Sequence, residues 1–192
     1  MSGSTQASVI QRNYRVRMIC KRLDLVPEYA IPSPYSIRHY QSGDEEGWLR
    51  IQALADHHNA ITPSLFYGQF GDSIPVLEER QLYLLNEEAK TIGTATAWFD
   101  NDFDGERIGR VHWVAIEPTY QGKGLAKPLM TAVCHRLKEL GHGSAYLTTS
   151  TARITAINLY LKFGFTPIIK SSDDLQIWQE LSAHLKEPII FK

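Results

Sequence analysis

The stretch EPTYQGKGLAKPLM (117–130) sets two glycines and a lysine between a strand-like run, VHWVAI, and a helix-like run, LMTAVCHRLKEL. Small residues between a strand and a helix let the backbone approach a phosphate, and the free N–H groups of the helix's first turn point at it. The helix dipole adds about 0.3–1 kcal/mol for an anion there, or about 2 kcal/mol if the anion is partly buried. Two phosphate-binding patterns fail. The ATPase loop needs GxxxxGK followed by Ser or Thr, but Lys127 follows Ala126 and precedes Pro128. A dinucleotide fingerprint needs a third glycine where Lys127 stands, and an acid for the ribose where the next strand ends Thr148, Thr149, Ser150. A third pattern is present: Gln121, two residues, Gly124, one residue, Ala126. Pro128 fits it, because near a helix start a missing N–H does least harm. Lys123 either adds a charged contact to the phosphate or is a solvated surface lysine.

A second motif, RITAINLYLKFGF (153–165), follows the first. Gln121, Gly124 and Ala126 in the first, with Ala156, Leu159, Tyr160, Gly164 and Phe165 in the second, resemble the GNAT acetyltransferase superfamily over residues 35–182. Arg153 departs from the pattern, which usually has asparagine there; the arginine either reaches a coenzyme phosphate or lies at the surface. The resemblance implies acetyl-CoA as co-substrate, and the sequence has no His/Cys cluster that would support a metal. Its pyrophosphate would lie on Gln121, Gly122, Lys123, Gly124, Leu125 and Ala126, and its pantetheine arm beside the backbone of Ala115 and Ile116. It also implies a sheet that splays between this strand and SAYLTTS (144–150), and direct transfer of the acetyl group to an amine.

Two proton transfers then decide which side chains matter. A leaving thiolate resembles a cysteine with pKa about 8.5, and a tyrosine of pKa about 10 can assist it. Tyr160 matches the family's general acid. An amine of pKa about 10.4 is neutral in only about one molecule in 2,500 at pH 7, a cost near ~4.6 kcal/mol, so a base is expected. Some members use a glutamate where this chain has Arg110. His112, two residues on and on the same side of the strand, has an ordinary pKa of about 6.5 suited to the task, and its other reading is a hydrogen-bonded structural histidine. His57, His58, Asn59 and Tyr67 lie where the family builds its acceptor pocket, though histidines are also favourable at a helix C-terminus. Glu78 and Glu79 are further candidates that read more simply as solvated.

The elements that must position these groups follow from periodicity. Strands are expected at 14–20, at 35–40, on both sides of an Asn86–Lys90 turn, at 107–116 and at 144–150, with further strands near 165–170 and 174–181. Helices are expected after a Ser42/Glu45 capping box, at 124–140 and at 152–163, where Gly164 supplies a left-handed cap, with a short helix or ordered loop over ITPSLFYGQFG. The fold class is mixed α/β: a GNAT-like, mostly antiparallel sheet of six to seven strands, with helices on both faces and an extra N-terminal strand. Residues 1–34 read as an extension, poorly ordered over 1–13, and residues 35–192 as the acetyltransferase domain.

The chain has 192 residues, enough for one well-buried core, and 43% of them are apolar. Twenty basic and 21 acidic residues give a net charge of -1, which offers no global reason to bind nucleic acid or an anionic membrane. Arg12, Arg15, Arg17, Lys21 and Arg22 cluster near the N-terminus, where a solvated strand face is the simpler reading and a nucleic-acid arm the alternative. Two cysteines, no long apolar run and no apolar leader suggest a soluble cytoplasmic protein, monomeric or homodimeric, acting on a small-molecule or peptide amine. The acidic run DNDFDG (100–105) resembles half a calcium loop, but Val111 stands where a bidentate glutamate is needed. It reads as a hairpin tip whose charge would attract a cationic acceptor. Two other classes stay open: a catalytically silent acyl-CoA-binding module, and an interaction protein using the basic N-terminal strand.

Overall fold

A computed structural model of the protein describes residues 7–189 and 191. Seven strands form one sheet: β1 (Arg15–Cys20), β2 (Ser36–His39), β3 (Gln81–Leu85), β4 (Thr91–Phe103), β5 (Glu106–Ile116), β6 (Ala145–Ser150) and β7 (Thr166–Pro167). Their order is β2-β3-β4-β5-β6-β1-β7. All neighbours are antiparallel except β5 and β6, which run parallel, joined by the crossover through α5 (Ala126–Glu139).

The helices bury two faces of this sheet. On one face α5 carries a stripe of Leu129, Val133 and Leu137 against Leu84, Ala95, Val111 and Leu147. The same core includes Ile157 and Tyr160 of α6 (Ile154–Lys162) and Trp178 and Leu181 of α7 (Ser172–Ser182). On the other face, α2 (Asp44–Ala55), α3 (Pro63–Phe70) and α4 (Ile74–Arg80) bury Trp48, Phe66, Phe70 and Leu77 with Tyr40 and Tyr83. Three aromatic rings pack edge-on to Trp48, with centroids 5.2–5.7 Å away. Gly47 permits the close approach of α2: a Cβ there would stand 2.7 Å from Thr91 Oγ1.

Four details differ from expectation. Of the N-terminal residues expected to be poorly ordered, 1–6 lie outside the described residues. Val9–Arg12 form helix α1, closed by a reciprocal box in which Ser8 Oγ accepts from the Gln11 N–H and Gln11 Oε1 accepts from the Ser8 N–H. Helix α2 starts without the Ser42 cap; its N-cap is Gly43 at φ 96°, and Asp44 and Glu45 accept the N–H groups of Gln41 and Gly43. The strand expected near 174–181 is helix α7. Ser171 Oγ accepts from the Asp174 N–H, Asp173 and Asp174 occupy the positive first turn, and Trp178 and Leu181 point inward three residues apart. Strand β7 is correspondingly short.

The extra strand is therefore an inner one. With α7 replacing a second hairpin strand, β1 lies between β6 and β7, pairing along its whole length with β6 from Arg15↔Ser150 to Cys20↔Ala145. Val16, Met18 and Cys20 face the core, and Arg15 and Arg17 face outward. Helix α6 ends as expected in a Schellman motif: Gly164 sits at φ 77°, Phe165 N–H donates to Tyr160 O and Gly164 N–H to Leu161 O.

Because Met18 is fully buried at the centre of that strand, Met18→Ala is expected to destabilise the protein by about 2–5 kcal/mol in urea unfolding. Leu25→Ala, at a side chain 69% exposed, should change stability by less than about 0.5 kcal/mol. Equal losses in the two variants would contradict an inner β1.

Candidate active site

The site forms where β5 and β6 part. They pair only at Gly109↔Ala145 and Arg110↔Tyr146, although β5 runs on to Ile116 and β6 to Ser150. The cause lies in β5. Its register with β4 slips between Thr96↔His112 and Thr94↔Ala115, and Trp113 inside the slip has φ 49°. A bulky residue at positive φ is held only where its surroundings demand it. Here Gln52 Nε2 donates to Trp113 O at 3.0 Å, Trp113 Nε1 donates to Gln69 Oε1 at 3.1 Å, and the Trp113 ring packs on Trp48. The bulge bends β5 away from β6 and leaves strand backbone unpaired on the open side.

Beyond the bulge the ladder settles which backbone groups face the gap. Glu117 N–H donates to Ile92 O, and Ala115 is registered with Thr94. By alternation Ala115 turns its N–H and C=O toward β4, and Ile116 turns its own toward the gap. Of the two residues expected beside a pantetheine arm, only Ile116 presents backbone groups. Its carbonyl accepts from Gln121 Nε2 at 2.9 Å, so the Gln121 side chain ties the glycine loop to the strand end and does not reach out to an anion. Arg50 of α2 fixes the same corner by pairing with buried Glu117 and donating to Thr91 O.

Gly122 and Gly124 sit at φ 77° and 80°, a conformation that disfavours side chains, and nothing lies within 4 Å of a Cβ built on either. The loop is thus an open backbone cradle. Leu125, buried, is the N-cap of α5, and Ala126 its first residue. Lys123 Nζ rests 4.8 Å over the Tyr120 ring. These residues fit a pyrophosphate: a concave run of backbone, two glycines and a helix N-terminus.

Tyr160 and His112 lie on different walls. Tyr160, on α6, is buried, and its hydroxyl has no hydrogen-bond partner among the described residues. Burial pushes its pKa up to about 12, with Arg153 pulling weakly the other way, so it keeps its proton at neutral pH. His112, on β5, is buried with Nε2 2.9 Å from Gln69 Oε1. The indole of Trp113 can only donate, so the Gln69 atom facing it must be the oxygen, and His112 Nε2 must donate to that same oxygen. His112 therefore carries its proton on Nε2, leaving Nδ1 with a free lone pair. Burial, then the charges of Arg110 and Arg15, hold its pKa well below the ordinary value.

Other expected contacts are arranged differently. Arg153 does not point into a phosphate site: its Nη2 donates to Asp56 Oδ2 at 2.8 Å. Asp56 also accepts from the His58 N–H and from Asn59 Nδ2, which locks the loop after α2. His57 and His58 are exposed, and His58 Nδ1 lies 3.4 Å from Asn13 Nδ2, so the N-terminal segment walls this loop. Tyr67 on α3 is half exposed, whereas Glu78 and Glu79 lie on α4. The acidic hairpin tip is largely satisfied: Asp100 accepts from Tyr146 Oη and the Asp102 N–H, and Asp104 pairs with Lys170. No group of three or more His, Cys, Asp or Glu among the described residues is arranged to hold a metal, and none of their helices is long and apolar enough to cross a membrane. Gln52, Gln69 and Asp56 belong to no sequence motif.

A sequence model described as the Acetyltransferase (GNAT) family matches residues 40–165. A mycothiol acetyltransferase of Pseudarthrobacter chlorophenolicus is 30% identical over 165 residues, covering 82% of this chain and 50% of that protein. One from Thermomonospora curvata is 29% identical, covering 73% and 47%. The chain thus spans about half the length of the curated relatives it matches. Among solved structures, a GCN5-related N-acetyltransferase from Sphaerobacter thermophilus superposes with TM-score 0.64 at 20% identity, over 81% of this chain and 50% of that one. The ribosomal-protein-S18-alanine N-acetyltransferase from Escherichia coli gives 0.56 at 18%, over 72% and 86%. At such identities the structural likeness concerns the fold.

The His112 assignment has two measurable consequences. Nitrogen NMR should find the neutral ring protonated on Nε2, and an Nδ1–H tautomer would overturn the hydrogen-bond reading. Because the folded pKa lies below the unfolded value of about 6.5, the unfolded chain takes up the proton first, and stability is lost as pH falls below about 6.5. Urea unfolding of His112→Gln should therefore lose less stability between about pH 7 and pH 5 than the unaltered protein, and equal slopes would reject a buried neutral histidine.

Proposed function

Because the chain belongs to the acetyltransferase (GNAT) family, we propose that it is an N-acetyltransferase that moves an acetyl group from acetyl-CoA to an amine. The observation that carries this reading is the parting of β5 and β6 at the Trp113 bulge, with the open glycine cradle at the mouth of the gap. Bound acetyl-CoA supplies a thioester whose carbonyl carbon is open to attack by a neutral amine. The chain's part is to bind, orient and move protons.

The backbone of residues 121–126 holds the pyrophosphate, with Gly122 and Gly124 giving close access and Lys123 adding charge. The N–H of Ile116 faces the pantetheine arm. Unpaired β5 backbone beside the bulge offers N–H groups for negative charge developing on the carbonyl oxygen. Tyr160 hands its proton to the departing sulfur, and burial keeps that proton in place until then. His112 Nδ1 receives, directly or through a water, the proton lost by the attacking nitrogen. Its depressed pKa keeps it unprotonated throughout the neutral range, so protonation that disables it falls on the acid side.

The acceptor is taken as an amine of a small molecule or peptide. The name mycothiol acetyltransferase belongs to relatives that this chain spans only by half. A reducing cytoplasm suits the two buried free thiols, Cys20 and Cys134.

Calorimetric titration with acetyl-CoA, CoA and NAD is expected to give heat for the CoA species alone; none for any CoA species would sink the reading. Tyr160→Phe should lower kcat by about 10²–10⁴-fold, the usual worth of general acid catalysis, without weakening acetyl-CoA binding. Equal turnover by the variant would remove Tyr160 from its role. Tight coenzyme binding with no acetyl transfer to any amine would favour the silent binding module.

A further inference from the structure

Strand pairing places a set of cations beside His112. Arg110 is registered with Tyr146 and Arg15 with Ser150, and by alternation Arg110, His112, Tyr146, Ser150 and Arg15 project from one face of the sheet. Helices α2 and α4 cover this face over β2, β4 and β5, whereas over β1 the side chains of Arg15 and Arg17 are exposed.

Arg110 and Arg15 make no ion pair with any described residue. The Arg110 Nε is buried without a hydrogen-bond partner, and its guanidinium lies 5.5 Å over the Tyr146 ring. Asp100 is the carboxylate whose charge reaches it, but the two form no ion pair; Asp100 instead accepts from the Asp102 N–H and from Tyr146 Oη. Ser150 Oγ, opposite Arg15, is also buried and unpartnered. Arg17 differs: it lies over the Phe103 ring near Asp174. A half-buried guanidinium without a counter-ion is costly unless a ligand supplies one, and its planar fork suits a carboxylate or phosphate.

We infer that the amine acceptor carries an anionic group, a carboxylate or a phosphate, held by Arg110 and Arg15 on the open face of β6 and β1 while the amine lies toward His112. This rests on the acyl-transfer reading and narrows its acceptor. It replaces the expectation that the acidic hairpin tip draws in a cation. The same two positive charges disfavour an ammonium beside them, so the site that docks the anion also helps hold the neighbouring nitrogen neutral. Arg15 lies before the segment that the family pattern matches, so this feature belongs to the chain's own N-terminal strand.

The test uses the protein saturated with CoA and matched amines: an α-amino acid against its carboxamide, and phosphoethanolamine against ethanolamine. In calorimetry at least one anionic member should bind tighter than its neutral match by about 10–100-fold, the worth of a hydrogen bond to a charged group. The first pair reports a carboxylate and the second a phosphate. Arg110→Gln and Arg15→Gln should each bring the favoured pair together, with a parallel fall in kcat/KM for the anionic acceptor. Arg15 is exposed, so its variant keeps the fold even if Arg110→Gln does not. Equal or reversed preference in both pairs would overturn the inference. Failure of CoA to bind would instead remove the acyl-transfer reading, and the same titrations without CoA would still decide whether the arginines select an anion.

Discussion

The interaction on which the rest depends is the grip of Gln52 and Gln69 on Trp113. A tryptophan at positive φ costs on the order of 1–3 kcal/mol, and it persists because two side-chain amides and the Trp48 ring leave it no other place. Without that residue β5 would stay in register with β4 and could continue pairing with β6. With it the parallel pair is cut to two registered residues and a gap opens at the sheet's centre. The hydrogen bond that holds the indole also fixes the His112 tautomer, because one amide oxygen serves both rings. One interaction thus shapes the cleft and sets the protonation of a side chain in it.

The second constraint is at the far side of the gap. A strand beside an opening needs a firm partner, since unpaired backbone on both edges would leave it poorly held. Strand β6 obtains that partner from β1, along its full length. The N-terminus is anchored in turn: Thr151 Oγ1 donates to Val9 O and accepts the Tyr14 N–H, and Arg12 pairs with Glu180 of α7. Residues outside the family-matched segment therefore complete the sheet and wall the loop at Asp56.

What was legible in the sequence was local. The glycine loop, the helix ending at Gly164 and the strand carrying His112 each announce themselves through neighbours within a few positions, and they form where expected. Helix α7 was misread because its alternating apolar residues suit either period, and the deciding signal, Ser171 capping Asp174, is a single polar contact. Long-range facts were hidden for a different reason. Nothing in the spacing of Gln52, Gln69 or Asp56 says that they meet Trp113, His112 or Arg153. Those meetings join residues 43 to 97 positions apart, where only the folded sheet brings them together.

The charge pattern explains why a histidine and not a carboxylate suits this cleft. A glutamate at position 110 would act as a base by itself, but with arginine there a carboxylate nearby would form an ion pair and lose basicity. A neutral imidazole keeps its lone pair beside the cations, because they oppose its protonation and do not bind it. Burial depresses the pKa of His112, and their field adds to that depression and disfavours an ammonium at the same place. In the proposed transfer, base and nucleophile would then both be kept unprotonated, at the cost of a weaker base. That weakness matters little if the proton is lost only as the carbon–nitrogen bond forms, because the nitrogen becomes strongly acidic on the way to the amide.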